Sequence, residues 1–515
     1  MNPYQNKWWL LLGFGLSTTI LNLDITIVNL ALPVIAHVFH IGMTELQWIN
    51  NSFMLAVTCV ALLGGYFADH YGQRKIFLLG MAVFTLGSLS ASIAINDGMI
   101  IIGRFLQGAG IGVAFPMVLI LLSESFPIHQ RGMAMGLLST FAGVSQALGP
   151  TIGGIIVQWL GWRWAFIINL PICPAVMWII WRKCQAGLTG LKPNQGLDVI
   201  SVVLLIASLS AISIAFNEIP QWGLISVRFL AILAGGILLL ITVLIRQLHL
   251  THPWIDLTVF KIPAFAAINV IRPIFQFIFF GFYFILPLYL QNFLGYSPSE
   301  SGFIILIMSV LIGVLSPIVG RFIDRIGISK PMVLAHICAI IGFSALTLTS
   351  THLNFWVMGT GLIGMGICSG ILFPAGNFTA VSALPPEKKG IGLGIYTTTG
   401  GLMNTLGIAI SGALLSLVST AYFNHQLAQA GMLNMSGQST LQPIVSGAQP
   451  LQGLAQLYPH SSAALLPLVQ NSFLIAFHTV MGLYILLNLI SLFCCQFLAV
   501  RHSHPTYERL KHWTH

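Results

Sequence analysis

The sequence has little charge. Only 6% of its 515 residues are Asp, Glu, Lys or Arg, whereas 56% are hydrophobic and the mean hydropathy is +0.89. A water-exposed protein surface needs about a quarter charged residues. The composition therefore excludes a soluble globular protein and indicates an integral membrane protein.

Signatures of enzymes and of metal sites are also missing. No Gly-x-x-x-x-Gly-Lys-Ser/Thr phosphate-binding loop occurs, which argues against ATP-driven work. The seven cysteines are scattered without metal-ligand spacing and predict no disulfide framework. We therefore expect no enzyme activity, no metal, no cofactor and no nucleic-acid partner. The net charge of +9 is attributed to orientation in a membrane.

Long hydrophobic runs fill most of the chain. A membrane-spanning helix needs about 20 mostly apolar residues, and the hydropathy pattern predicts fourteen such helices. The first, behind Lys7, is interpreted as an uncleaved span and not as a signal peptide. The predicted spans lie near residues 10–33, 48–68, 76–95, 98–121, 133–157, 164–182, 197–217, 227–247, 265–292, 301–322, 331–350, 354–377, 390–420 and 472–499.

The basic residues are distributed unevenly between the two ends of these spans. If the N-terminus lies in the cytoplasm, most of the 21 Lys and Arg residues fall on cytoplasmic segments. Because short loops rich in Lys and Arg stay in the cytoplasm, we predict that both termini are cytoplasmic. An even number of spans agrees with this orientation.

A short charged loop occurs twice. The stretch Gly65–Lys75 returns 255 residues later as Gly320–Lys330, with Asp69 matched by Asp324. Such an internal repeat predicts two similar halves. The predicted parts are a six-helix half in 1–190, two linker spans in 191–250, and a second six-helix half in 251–515 that contains a long external loop, 421–471.

The external loop 421–471 contains no Lys, Arg, Asp or Glu. It is interpreted either as a poorly ordered insertion or as a helical cap that docks a partner on the outer side. The sequence leaves both alternatives open.

Four stretches resemble motifs of the major facilitator superfamily. Residues 65–75 resemble its loop between spans two and three, and Arg104 to Gly108 resembles its fourth-span motif. Residues 143–154 resemble its antiporter motif in span five. Residues 23–33 are similar to the first-span motif of the fourteen-span drug:proton antiporters, the EmrB/QacA type.

This resemblance implies a fold class and an energy source. It implies an all-α integral membrane protein with two pseudo-symmetric six-helix halves plus two extra central helices. It also implies transport driven by a proton gradient without a cofactor. His70 and Gln73 replace two arginines of the loop motif, which weakens its charge network.

Asp24 is the one acidic residue in the middle of a predicted span. An ionisable group inside a span is a functional candidate because burying its charge costs about 2.5–3.5 kcal/mol. At ~1.5 Å per residue, Asp24 in span one and Arg104 in span four lie at similar depth, which allows them to share one cavity. We predict that Asp24 binds the coupling proton beside Arg104. The alternative for both residues is a structural tie between spans.

Three further groups of residues are candidates. The repeated loops and a nearby arginine are predicted to act as a conformational gate: Gly65, Asp69, Gly72, Arg74, Lys75, Arg131, Gly320, Asp324, Arg325 and Gly327. The residues of the antiporter motif are predicted to seal the two halves on the outer side, with ordinary small-residue packing as the alternative: Gly143, Gly149, Pro150, Gly153 and Gly154. Polar residues inside spans are candidates for the substrate cavity: Asn22, Asn29, Gln107, Gln146, Arg272, Gln276, Asn377 and Asn404.

Taken together, these features predict a proton-coupled antiporter that exports amphipathic, drug-like compounds by alternating access. The expected setting is the inner (cytoplasmic) membrane, with lipid, protons and a small amphipathic substrate as partners. A periplasmic adaptor protein is a further partner left open. The alternatives are a dedicated exporter of an endogenous metabolite, siderophore or lipid, and a non-transporting scaffold or sensor.

Overall fold

The computed structural model consists of helices and short connections. It describes residues 5–41, 43–184, 198–223, 226–250, 253–429, 438–449, 451–457 and 462–499, and these contain no β-strand. The all-helical class is therefore confirmed. A chain in lipid has no water to satisfy its backbone, and a helix pairs all of its own N–H and C=O groups.

The N-terminal half comprises the helices of the first six predicted spans. The sixth span is broken into a short helix and a longer one. Their bounds are α1 Lys7–Phe39, α2 Met43–Tyr71, α3 Gln73–Ser92, α4 Asp97–Glu124, α5 Arg131–Trp159, α6 Trp164–Ile167 and α7 Asn169–Lys183.

An insertion of two long helices and one short helix follows, and then the C-terminal half. The insertion contains α8 Val199–Asn217, α9 Ile219–Trp222 and α10 Val227–His249. The C-terminal half contains α11 Pro263–Pro287, which continues as a π-helical turn Leu288–Phe293, then α12 Pro298–Ile326, α13 Ser329–Leu346, α14 Phe355–Ser382, α15 Lys389–Gln429, α16 Gln438–Val445, α17 Gly453–Leu457 and α18 Ser462–Ala499.

Thirteen helical segments within the described ranges are long and apolar enough to cross a membrane. The fifth predicted span forms the continuous 29-residue helix α5, which is not among these thirteen. The count of fourteen spans therefore stays a prediction. The N- and C-terminal boundaries of the predicted domains also stay predictions.

The external segment 421–471 differs from its description as one long loop. Helix α15 runs on to Gln429 and α18 starts at Ser462, so both extend beyond the predicted spans. Where it is described, the segment between them forms α16 and α17, whose apolar side chains pack with the ends of α15 and α18 into a separate small core. Asn292 anchors this core, because its side chain donates to the Gly447 carbonyl at 2.8 Å. The described part is a helical cap.

The repeat in the sequence is visible in how the helices begin. Asn96 caps α4 by accepting from the Met99 N–H, and Asn354, 258 residues later, caps α14 in the same way. A side-chain oxygen at this position satisfies N–H groups that have no partner inside the helix. A short 3-10 turn precedes both α5 and α15.

The two halves meet along two seams, α2 against α15 and α5 against α12. These pairs are equivalent in the repeat, since span two of each half packs on span five of the other. At one end of both seams the backbones are in close contact: Gly65 against Gly390, and Gly132 against Gly320. A Cβ at any of these glycines would overlap the facing backbone, so only glycine permits this approach.

The insertion lies beside one seam. Helix α8 packs on α2 and α15, and α10 packs on α8. Asp198, which caps α8, pairs with Arg246 of α10 at 2.9 Å. The hydrogen bond from Arg246 lowers the pKa of Asp198 to about 2, so this ion pair is fully formed at neutral pH.

Candidate functional site

A buried ion pair lies inside the N-terminal half. The Nη1 atom of Arg104 on α4 donates to Oδ2 of Asp24 on α1, and neither side chain is exposed. Arg104 also donates from Nε to the Ile49 carbonyl at 3.2 Å. Its Nη2 atom is buried and has no acceptor among the described residues. Each charge compensates the other in an interior that would otherwise exclude both.

Three neutral polar residues complete the surroundings of Asp24. Its Oδ1 atom accepts from Gln107 at 2.9 Å and from Asn169 of α7 at 3.0 Å. Ser88 of α3 in turn accepts from Gln107 at 2.7 Å and from Asn169 at 3.2 Å. Asp24 of α1 is thus held directly by α4 and α7 and indirectly, through Ser88, by α3, all from the same half.

Phe53 separates this ion pair from a central cavity. The Cζ atom of Arg104 lies 4.2 Å from the centre of the Phe53 ring, and the same ring lines the cavity. Asp24 and Arg104 lie at the same depth, but neither is among the described residues that line the cavity. Their direct contact agrees with the similar depth expected from the sequence, and both side chains face the interior of the N-terminal half.

The cavity lies between the two halves and has a volume of about 160 Å³. Its walls come from α1, α2, α4 and α5 on one side and from α11, α12, α14 and α15 on the other. Six of the polar residues predicted for a substrate cavity line it: Asn22, Gln146, Arg272, Gln276, Asn377 and Asn404.

Two predicted cavity residues lie elsewhere. Gln107 belongs to the surroundings of Asp24, because it sits one helical turn after Arg104 and faces the same way. Asn29 lies further along α1, where it accepts a hydrogen bond from Asn50 of α2. Both residues tie helices of the N-terminal half together.

Arg272 turns towards the cavity and does not extend to a membrane surface. Its Nη1 donates to the Asn377 side-chain oxygen at 2.9 Å and to the Tyr396 hydroxyl at 2.5 Å. Its Cζ atom lies 4.0 Å from the centre of the Tyr396 ring. In the part of the chain that the structure describes, Arg272 forms no ion pair with an acidic residue.

The repeated loops lie at one end of the bundle, which we call the latch face, defined by residues 65–75 and 320–330. Asp324 accepts from the Gly132 and Met133 N–H groups at 2.8 and 3.0 Å, at the start of α5. Asp69 accepts from the Gly390 and Ile391 N–H groups, both at 2.9 Å, at the start of α15. Each half therefore supplies the carboxylate that caps a helix of the other half, where the helix dipole favours negative charge.

The other gate residues have smaller roles in this arrangement. Arg74 donates to the Trp181 carbonyl at 2.7 Å, within its own half. Arg131 donates to the Phe126 carbonyl at 3.5 Å and forms no ion pair among the described residues in this conformation. Lys75 and Arg325 are exposed. Gly72 and Gly327 adopt φ values of 94° and 81°, a backbone conformation that glycine tolerates best.

A cross-half ion pair strengthens the latch face. Lys389 at the start of α15 pairs with Glu124 at the end of α4 at 3.0 Å. With the two carboxylate caps and the close glycine contacts, this pair holds the halves together at the latch face. The conformation is closed at that end.

The antiporter-motif glycines do not seal the two halves at the opposite end in this conformation. Gly149 and Gly153 pack on α1 of the same half, because they face Thr26 and Ile27. Gly143 alone among these glycines faces the other half, against Ile312, and a Cβ at Gly154 would meet no atom of another helix. Pro150 lies on α5, outside the described side chains. The close contact permitted by these small residues joins α5 to α1.

A family model described as "Major Facilitator Superfamily" matches residues 14–408. The chain belongs to the Major Facilitator Superfamily. Among its relatives in this superfamily is the multidrug resistance protein Stp of Mycobacterium tuberculosis, which is 30% identical over 457 residues, covering 87% of this chain and 83% of the relative. The tetracenomycin C resistance and export protein of Streptomyces glaucescens is 30% identical over 438 residues, covering 82% and 79%.

Solved structures of the superfamily share the fold. The human organic anion transporter MFSD10 aligns with a TM-score of 0.62 at 14% identity, covering 96% of this chain and 100% of that one. At this identity the match shows the fold alone. The all-helical chain thus adopts the major facilitator fold.

Sequence reasoning missed Ser88, Asn169 and Phe53. Each was unremarkable in the sequence, since serine, asparagine and phenylalanine are common inside spans. The available signal was that Ser88 and Asn169 are polar residues inside predicted spans, near 76–95 and 164–182.

Proposed function

We propose that this protein is a proton-coupled antiporter that exports amphipathic, drug-like compounds by alternating access. The observation that carries this proposal is the fully buried Asp24–Arg104 pair, separated from the central cavity by Phe53. Two relatives named for multidrug resistance and for antibiotic export support the kind of substrate. The first-span motif at residues 23–33 and the two long helices of the insertion support placement in the fourteen-span EmrB/QacA branch.

Proton binding acts through the charge of Arg104. When Asp24 takes up a proton, Arg104 keeps its charge but loses its counter-ion, and an uncompensated buried charge costs about 3–5 kcal/mol. The protein lowers this cost by moving Arg104 towards another acceptor or towards water. Because the Phe53 ring touches Arg104 and lines the cavity, that movement reaches the bound substrate.

Alternation of access uses the latch face. Each half moves as a unit about a central site in transporters built from parallel repeats. Opening the latch face requires both carboxylate caps and the Glu124–Lys389 pair to separate. We propose that the protein lies in the inner membrane with its latch face on the cytoplasmic side and both termini in the cytoplasm. The closed latch face then corresponds to an outward-facing state.

Asp24→Asn tests the proposal. The substitution keeps the size of the side chain but cannot bind and release a proton. In proteoliposomes with an imposed pH gradient, we expect gradient-driven accumulation of amphipathic dyes to fall at least tenfold. Exchange of labelled for unlabelled dye, which needs no proton, should remain. Asp97→Asn, at the first turn of α4, is the matched control and should behave as wild type.

Two results decide against this function. If Asp24→Asn protein accumulates dyes with the pH gradient at the wild-type rate, Asp24 does not carry the proton. If the wild-type protein moves a single metabolite and ignores a panel of dyes of either charge, the dedicated-exporter alternative is correct. Absence of any transport would support a scaffold.

Export through a periplasmic adaptor is expected to involve the helical cap formed by α16 and α17.

A further inference from the structure

The walls of the central cavity carry one full charge, and it is positive. Among the described residues that line the cavity, Arg272 is the only Lys, Arg, Asp or Glu. The nearest comparable charges, Asp24 and Arg104, compensate each other outside the cavity. A ligand in the cavity therefore meets net positive charge.

The charge of Arg272 has no anionic partner among the residues that the structure describes. Its Nη1 donates to two neutral groups, on Asn377 and Tyr396, and its Nε is buried without an acceptor among the described residues. A guanidinium offers five N–H donors in a planar fork that matches a carboxylate. A charge inside a membrane is costly unless it is paired, so an anionic ligand group gains by binding here.

The rest of the cavity fits a flat apolar ring system. Four phenylalanines line it, at positions 53, 115, 280 and 373. A cavity of about 150 Å³ in another protein holds benzene, and this cavity measures about 160 Å³. The side-chain oxygens of Gln276 and Asn404 are buried in its wall without donors among the described residues.

We propose that the cavity selects planar amphiphiles that carry an anionic group, bound at Arg272. The inference rests on the proposed function, in which this cavity is the substrate site, and it narrows the substrate class to organic anions with a single aromatic ring. It excludes lipophilic cations as preferred substrates.

Three ligands with one ring system test the inference. The purified full-length protein is titrated by calorimetry with benzoate, benzamide and benzylamine, with detergent micelles alone as the blank. For the wild type we expect the carboxylate to bind at least tenfold more tightly than the amide and the amine to bind most weakly, since a hydrogen bond between charged groups contributes well above a neutral one.

Two variants change the charge at the site. Arg272→Gln should weaken carboxylate binding at least tenfold and leave carboxamide binding within about twofold. Asn377→Asp keeps Arg272 and places a carboxylate against its Nη1, so it should abolish the anion preference even if Arg272→Gln folds poorly. Arg228→Gln, an exposed residue at the start of α10, is the control and should leave all three affinities unchanged.

The inference is overturned if the amine binds as tightly as the carboxylate, if Asn377→Asp retains the wild-type preference, or if none of the three ligands binds. Binding at equilibrium needs no proton gradient. Carboxylate binding through Arg272 without gradient-driven export would therefore refute the antiport function alone, whereas dye export that ignores ligand charge would refute this inference alone.

Discussion

Asp324→Asn is expected to increase the open-to-closed ratio of the latch face about tenfold. The Asp324 carboxylate accepts two backbone N–H groups of α5 at 2.8 and 3.0 Å, one with each oxygen. Asparagine has one acceptor oxygen and no charge, so it keeps one of these bonds and loses the favourable interaction with the helix dipole. The combined loss is about 1.5 kcal/mol, and 1.4 kcal/mol corresponds to a factor of ten.

Spin labels across the latch face measure this ratio directly. Ile128 and Glu387 are exposed, lie on opposite halves and take no part in the caps, so cysteines there carry the labels in a background without the native cysteines. Pulsed electron resonance should show a longer-distance population that grows about tenfold relative to the short one in Asp324→Asn. Because Asp69 acts on a different seam, the double variant with Asp69→Asn should give about a hundredfold change.

Asp198→Asn is the matched control for the same measurement. This variant, like Asp324→Asn, removes a carboxylate near the end of a helix. The partner of Asp198 is Arg246, which lies in the insertion, so this ion pair does not connect the two halves. An unchanged distance distribution in Asp324→Asn would refute the capping argument. So would an equal shift in Asp198→Asn, since the effect would then be a general consequence of losing charge.

Two more variants probe other parts of the molecule. Phe53→Leu removes a cation–π contact with Arg104 of about 1 kcal/mol. It should reduce the ratio of the substrate Kd values at pH 6 and pH 8 about fivefold, whereas Phe53→Tyr should retain the wild-type ratio. An unchanged ratio in Phe53→Leu would contradict the link between the cavity and the ion pair. Arg246 lowers the pKa of Asp198 to about 2. The ion pair therefore stabilises the folded protein above the ordinary carboxyl pKa near 4, and this stabilisation is lost as the pH falls towards 2. The unfolding temperature of the wild type should thus exceed that of Asp198→Asn down to about pH 4, and the two should be equal below pH 2. A difference that vanishes near pH 6 would contradict the assigned pair.

The fold was accessible from the sequence because its signals are local or repeated. Hydropathy marked the helices, and the offset between residues 65–75 and 320–330 revealed two halves. The same offset placed Asp69 and Asp324 at equivalent positions. The partners of these carboxylates lie across the halves, at Gly390 and Gly132, and no local pattern encodes them.

The candidate site could be predicted from the sequence only in part, for a geometric reason. Depth along a helix follows from residue spacing, so Asp24 and Arg104 were placed at the same level. The direction in which a side chain points depends on the rotation of the helix against its neighbours. Asp24 and Asn22 are two residues apart, yet one faces the interior of its half and the other faces the cavity. Gln107 was misplaced for the same reason, although its spacing of three from Arg104 indicated a shared face.

The number of long helices in the insertion decides whether the repeated loops can work together. Each crossing reverses the side of the membrane on which the chain emerges. Helices α8 and α10 together reverse it twice, so the second half enters with the same polarity as the first. With one added crossing, the carboxylate of Asp324 would lie a full membrane thickness away from Gly132. An insertion between the two halves must therefore contain an even number of membrane-crossing helices, whereas its sequence is much less constrained.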